Sequence, residues 1–218
     1  MPHALAIPGL RFTRVVPTQA PDFRAILGER AWGQLPAAVQ ARFVQHLSRT
    51  VYPGSMQVRA SWLGLALAQL CRLIGTPLAP FTAEDVAVTV EVYPDRTGAL
   101  VWDRRYAFQG RKPVLVTSRK AMDRTHGLVE VVRCGVGMAL RLTVEDGALH
   151  FRSRRYFLAL GPARLPLPLL LTPGEAHVVH ADEGGGLFRF TMTFTHPWFG
   201  RLYFQTGLFR DPAPEARP

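Results

Sequence analysis

From Val86 onward the chain alternates apolar and polar residues with a period of two, in one segment after another. The segments read VAVTVEVY, ALVWDRRYAF, PVLVTSRKAM, GLVEVVRC, VGMALRLTVE, ALHFRSRRYFLAL, EAHVVHA, GLFRFTMTFTH and RLYFQTGLF. Side chains of an extended strand point alternately to its two faces, so this spacing predicts strands. Turn signals separate them: PDRTG at 94–98, QGRK at 109–112, EDG at 145–147 and DEGGG at 182–186. Connections this short join antiparallel neighbours and leave no room for crossover helices. About nine such strands curl into a half-barrel, a barrel or a sandwich. Alternation alone does not choose among them.

The chain ahead of these strands is helical in pattern. Leu35, Val39, Phe43, Val44 and Leu47 follow helical spacing and predict a helix over about 35–48, with Pro36 in its first turn. YPG at 52–54 closes it. A second helix is predicted over about 60–74, ASWLGLALAQLCRLI, ahead of Gly75 and Pro77. It is apolar nearly all round, which fits a core helix; a helix lying on a membrane surface is the alternative, and it is too short to span one. The expected fold class is therefore α+β, with N-terminal helices packed on a large curved antiparallel β-sheet. The domain is expected over 21–210, between a Pro-punctuated extended segment at 1–20 and a disordered tail at 211–218. The first twenty residues lack the basic and apolar regions of a signal peptide.

Net charge is +10, yet only Lys112 and Lys120 are lysines and the arginines are spread through the strands. No helix-turn-helix, zinc-finger or RNP pattern accompanies them, so no specific nucleic-acid partner is expected. The positive excess is compatible with peripheral membrane contact. Cys71 and Cys134 fall in different elements; they read as two buried free thiols of a cytoplasmic protein, not a disulfide or metal set. None of the histidines belongs to HExxH, and neither GxSxG nor GxxxxGK[ST] occurs, so neither metal nor cofactor is expected. His177 and His180, with Glu175 and Asp182, read as an exposed strand edge.

Strand faces give the most informative reading. Val136, Met138, Leu140, Leu142 and Val144 form one clean apolar face, and Phe188, Phe190, Met192 and Phe194 another. Other faces carry polar groups: Trp102, Arg104, Tyr106, Phe108; Leu128, Glu130, Val132, Cys134; Val114, Val116, Ser118; and Leu149, Phe151, Ser153, Arg155, Phe157, Ala159. Arg104, Glu130 and Arg155 thus point inward, with Ser118 and Ser153. A buried charge costs several kcal/mol unless it is paired. Two readings follow. Either Glu130 bridges the arginines as a structural triad, or a surplus guanidinium receives an oxyanion inside a largely apolar pocket. Glu130 as an acid or base is a third, weakened by the cations beside it.

One segment stands apart. LPLPLLLTP at 165–173 places Leu165, Leu167, Leu169 and Leu171 on one face of an extended segment and Pro166 and Pro168 on the other. Proline cannot donate to a ladder, so the segment belongs at a sheet edge or as a rim or lid over an opening.

The order of several stretches resembles the bacterial DUF4166 family, whose function is unassigned. They are QLPAAVQARFVQHL at 34–47, VWDRRYAF with Trp102 and Arg104, Ser118, LVEVVRCG with Glu130, and VEDGALHFRSRRYFLALG. LPLPLLLTP, FRFTMTF and HPWFGRLYFQTGLF complete the order, over roughly residues 25–210. The resemblance implies company with reductase-like proteins, and so a reductase-type protein partner for an accessory module. The leading expectation is non-catalytic binding of a hydrophobic ligand with an anionic end, lipid-like or isoprenoid-like. Arg104, Glu130 and Arg155, with Ser118 and Ser153, would hold the polar end; Trp102, Tyr106, Phe151, Phe190 and Phe194 would line the wall. A protein-interaction module and an enzyme acting through Glu130 are the alternatives.

Overall fold

In the computed structural model, residues 20–44, 49–74, 78–161 and 163–212 are described. The extended segment expected at 1–20 lies outside them except for Ala20, as do Leu47, Gly75, Pro77 and the tail from 213 on. All nine expected strands form: β2 (Ala83–Pro94), β3 (Leu100–Ala107), β4 (Val114–Asp123), β5 (Gly127–Val131), β6 (Val136–Glu145), β7 (Ala148–Leu160), β9 (Glu175–Gly184), β10 (Leu187–His196) and β11 (Gly200–Arg210). Two further strands, β1 (Thr50–Ala60) and β8 (Ala163–Pro166), join them. The sheet order is β6-β5-β4-β3-β2-β1-β11-β10-β9-β7-β8, and β6 also pairs β7. That last pairing closes ten antiparallel strands into a barrel and leaves β8 as an extra strand on β7. Closure removes the exposed edges that an open sheet would present.

The α+β expectation needs correction. The protein is mostly β, and the helices are short: α1 (Phe23–Leu27), α2 (Glu29–Trp32), α3 (Ala37–Phe43) and α4 (Trp62–Cys71). Only the first three precede the barrel. YPG does not end a helix; Tyr52, Pro53 and Gly54 are inside β1, which fills the place between β2 and β11. Pro53 sits one residue short of the β1–β11 ladder, which begins at Gly54, and a missing amide is tolerated at such a position.

Strands alternate in direction, so the turns sort to two ends. At one end the segment from Ala20 to Phe43 acts as a plug. Phe23, Trp32, Leu35, Val39 and Phe43 are all buried in the main core. Phe43 packs against Trp102, Phe151 and His180 of the barrel interior. Arg42 ties the plug to the barrel by ion pairs with Asp182 at 2.6 Å and Asp211 at 3.2 Å.

At the other end α4 lies across β11. Ser61 caps it, accepting from the Gly64 amide at 3.1 Å. The helix is not the buried core helix that its composition suggests. It buries its small residues, Gly64 and Ala68, and leaves Trp62 and Leu70 exposed; Leu73, in the 3-10 turn that follows (Arg72–Ile74), is exposed too. Close backbone approach explains this. A Cβ on Gly64 would lie 1.9 Å from the Leu202 carbonyl oxygen, so the helix rests on the strand through its smallest residues.

LPLPLLLTP likewise departs from one extended run. β8 ends at Pro166, and Leu169–Leu171 form a single 3-10 turn stopped at Thr172. Its first part is at the sheet edge, where proline is accommodated.

Candidate functional site

Between the plug and α4 the barrel is not filled. A cavity of about 310 Å3 opens there. A single water needs only ~10–15 Å3 on this measure, so the space is large. Its walls come from β3, β4, β5, β6, β7, β9 and β10, and its mouth from α4 and the segment after β8.

Register builds the polar floor. β4 pairs β5 with Lys120 directly opposite Glu130, and β3 pairs β4 with Trp102 opposite Ser118. Directly opposed residues share a face and touch. Lys120 Nζ lies 3.2 Å from Glu130 Oε2, and both side chains are nearly sealed. Arg104 donates to Ser118 Oγ at 3.3 Å and 3.4 Å. Lys120 also sits 4.5 Å from the Trp102 ring centroid, and Arg104 6.0 Å from the Phe190 ring. From the opposite wall, His180 of β9 faces the same cavity.

The floor therefore holds two cations, Arg104 and Lys120, against one carboxylate. Burial pushes the Glu130 carboxyl up, but Lys120, Arg104 and Ser118 outweigh it and hold the group below its ordinary value. Glu130 is thus ionised at neutral pH and is no general acid. Burial, aided by Arg104, pulls Lys120 down against the attraction of Glu130. Burial and then Lys120, Arg42 and Arg104 push His180 well below the ordinary imidazole value, so it is neutral. Cys71, also on the wall, has its thiol pushed up to about 11 by burial and is no thiolate nucleophile.

Two buried polar atoms in the cavity wall, Trp102 Nε1 and the Tyr156 hydroxyl, make no hydrogen bond of ordinary geometry. Burial pushes the Tyr156 phenol above its ordinary value, with Ser153 opposing, so it is a neutral donor.

Six of the expected site residues meet at this cavity: Trp102, Arg104, Ser118, Glu130, Phe190 and Phe194. Four do not. Tyr106 is buried beside it, donating to Gln205 Oε1 at 3.1 Å and stacked on Phe108. Phe151 lies in the plugged half, against Phe23 and Phe43. Ser153 accepts from the Ala176 amide at 2.8 Å. Arg155 is exposed, which corrects its inward assignment. Its cause is a bulge: Ala139 pairs Arg155 while Leu140 pairs Ser153, so Arg154 is an extra residue in β7. An extra residue flips every side chain beyond it. Tyr156 takes the inward place, and Phe157 and Ala159 turn outward to pack on Val129 and Val131. Gly137 makes that outer layer fit, because a Cβ there would lie 2.6 Å from the Phe157 ring.

Lys120 and His180 were missed. Lys120 is the next step of the series Val114, Val116, Ser118, so alternation carried one residue further finds it. His180 read as part of an exposed strand edge; the β7–β9 and β9–β10 ladders instead place its strand between two neighbours and bury it. His177 instead pairs with His150, nitrogen to nitrogen at 2.9 Å. Among the described residues, no group of three or more His, Cys, Asp or Glu side chains is arranged to hold a metal.

A family model for the domain of unknown function DUF4166 matches residues 35–209. The chain belongs to the DUF4166 family. The match runs from the start of the plug's last helix into β11, so the family pattern spans the whole DUF4166 barrel and its cavity. No curated protein and no solved structure matches the chain. No helix among the described residues is long and apolar enough to cross a membrane.

A pH dependence follows from His180. Its folded-state value is depressed, so below the unfolded value of about 6.5 the unfolded chain binds more protons. Stability should therefore fall as pH drops below about 6.5, at up to about 1.4 kcal/mol per pH unit from this one group. His180→Phe should flatten that limb in urea melts between about pH 6.5 and 5. An unchanged slope would remove His180 as its source.

Proposed function

We propose that this DUF4166 protein binds, without altering it, a hydrophobic ligand with an anionic end. The observation that carries the reading is the surplus buried cation at the floor of an otherwise apolar cavity. Arg104 and Lys120 face one carboxylate, and the remaining positive charge calls for an oxyanion. Trp102 Nε1 is a further buried donor without a hydrogen-bond partner. Phe190, Met192, Phe194, Met138 and Leu67 offer apolar wall to a lipid-like or isoprenoid-like body.

The same geometry speaks against chemistry at Glu130. Its carboxylate is engaged by Lys120 and held ionised, and the Cys71 thiol is held protonated. A reductase-type partner has the family resemblance alone behind it.

Native mass spectrometry of the purified protein, with extraction of any bound lipid, is the first test. The second compares a long-chain carboxylic acid with the alcohol of equal length by displacement of a fluorescent fatty acid. The acid should bind at least about tenfold more tightly, since hydrogen bonds to charged groups contribute about 1.5–3 kcal/mol. Lys120→Met should remove most of that preference. Equal affinity for acid and alcohol, or binding of neither, would sink the reading.

A further inference from the structure

We propose that the mouth end of the barrel is a docking face for an anionic lipid bilayer. This inference rests on the surface around the opening and stands whether or not the cavity holds an anionic ligand.

The rim is apolar and unburied. Leu70 and Leu73 from the α4 end and Leu171 from the turn after β8 all border the cavity, and Leu73 and Leu171 are 80% and 68% exposed. Trp62, Leu70 and Leu73 are eight and then three residues apart, which puts them on one outward stripe of the helix and its 3-10 extension. Beside the leucine turn, His196 Nε2 reaches the Leu169 carbonyl, and the His196 ring stacks on Phe199 at 4.6 Å. That contact carries Trp198 and Phe199, both exposed, to the same rim. Exposed large apolar groups gathered at one opening mark an interaction surface. Tryptophan, phenylalanine and leucine together are the residues that enter the interfacial layer of a bilayer.

Charge selects the kind of surface. Arg72, Arg111, Lys112 and Arg201 are exposed on the elements at this end. Its acids are fewer: Glu84, which pairs with Arg59, then Asp85 and Glu175. The opposite end carries Asp95, Glu145, Asp146, Asp182, Glu183 and Asp211 on its turns, and Asp123 is paired with Arg164 of β8 at 2.9 Å. Most of these acids are matched there: Asp95 pairs with Arg119, Glu145 with Arg152, Glu183 with Arg189, and Asp182 and Asp211 with Arg42, while Arg24, Arg30, Arg96, Arg124 and Arg210 add positive charge. Among the described residues, unmatched positive charge therefore sits beside the apolar rim. An anionic membrane attracts that charge, and the exposed apolar side chains beside it enter the interfacial layer, which orients the mouth towards the lipid. Docked in this way, the opening would face the acyl layer, and an amphiphile could exchange without crossing water.

Flotation with phosphatidylcholine vesicles, with and without phosphatidylglycerol, tests the proposal. The protein should float at least about tenfold more with the anionic vesicles at low salt, and 0.5 M NaCl, on the order of the concentration that screens beyond a few ångströms, should reduce this. Two rim variants leave the cavity wall intact: Trp198→Ser with Phe199→Ser, and Arg72→Glu with Lys112→Glu and Arg201→Glu. Each should lower binding at least about tenfold, whereas Arg24→Glu with Arg30→Glu at the far end should not. Circular dichroism confirms that each variant is folded. Wild-type protein that ignores anionic vesicles, or rim variants that bind as well as wild type, would overturn the idea. So would a wild-type dimer that the rim variants dissociate in light scattering, since a second copy would then cover the face.

Discussion

Glu130→Gln is expected to destabilise the barrel by about 3 kcal/mol, whereas Lys120→Met should change stability by no more than about 1 kcal/mol. Both substitutions break the same 3.2 Å ion pair, so a pairwise view predicts equal losses. The charge balance of the floor predicts otherwise. Removing the carboxylate leaves Arg104 and Lys120 facing each other with no counter-charge. Arginine cannot shed its proton, and lysine sheds one only at a cost. Removing Lys120 leaves Arg104 and Glu130 balanced around Ser118, with an apolar chain of similar length in the vacated space. In thermal melts the glutamine variant should lose roughly 6–12 °C. Equal losses for the two variants would mean that Lys120 and Glu130 act as an isolated pair. The ligand readout runs the other way. Lys120→Met should preserve the fold and lose the preference for acids, which separates a binding role from a structural one.

Gly64→Ala is the second substitution with a large expected effect, and its sign is informative. In an ordinary exposed helix, alanine for glycine stabilises by about 1 kcal/mol. Here the new methyl would lie 1.9 Å from the Leu202 carbonyl oxygen. Backbone is fixed on both sides of that contact, so the helix must lift. Lifting also weakens the bond from the Ser61 amide to the same carbonyl, 3.0 Å in the native packing. We expect a net loss of about 2–3 kcal/mol, the range for overpacked sites. Because Leu67, Leu70 and Cys71 of α4 border the cavity, fatty-acid affinity should fall as well. A rise in melting temperature would show that the helix floats free of β11.

These two sites differ in how they could be found. The floor was partly legible. Arg104, Ser118 and Glu130 stand at inward positions of their strands, and simple alternation identifies all three. Gly64 carried no such signal, since a glycine inside a helical pattern gives no hint of what approaches it.

What the sequence by itself determined is what depends on near neighbours: nine strands, the turns between them, and the side of the sheet on which most of their residues fall. A period of two survives any arrangement of the strands, because it follows from backbone geometry within each one. What only the tertiary structure decided depends on pairing between distant segments. The β7–β9 ladder, which skips β8, made β9 an inner strand and buried His180, and with the β1–β11 ladder it closed the barrel. The bulge at Arg154 exchanged Arg155 for Tyr156 in the cavity wall. β1 formed through a Pro-Gly step because the barrel lacked a strand between β2 and β11. Trp62 and Leu70 of α4 stayed exposed because Gly64 and Ala68 make the closer contact with β11. In each case local preference was weak, and hydrogen bonds and packing across the barrel set the outcome.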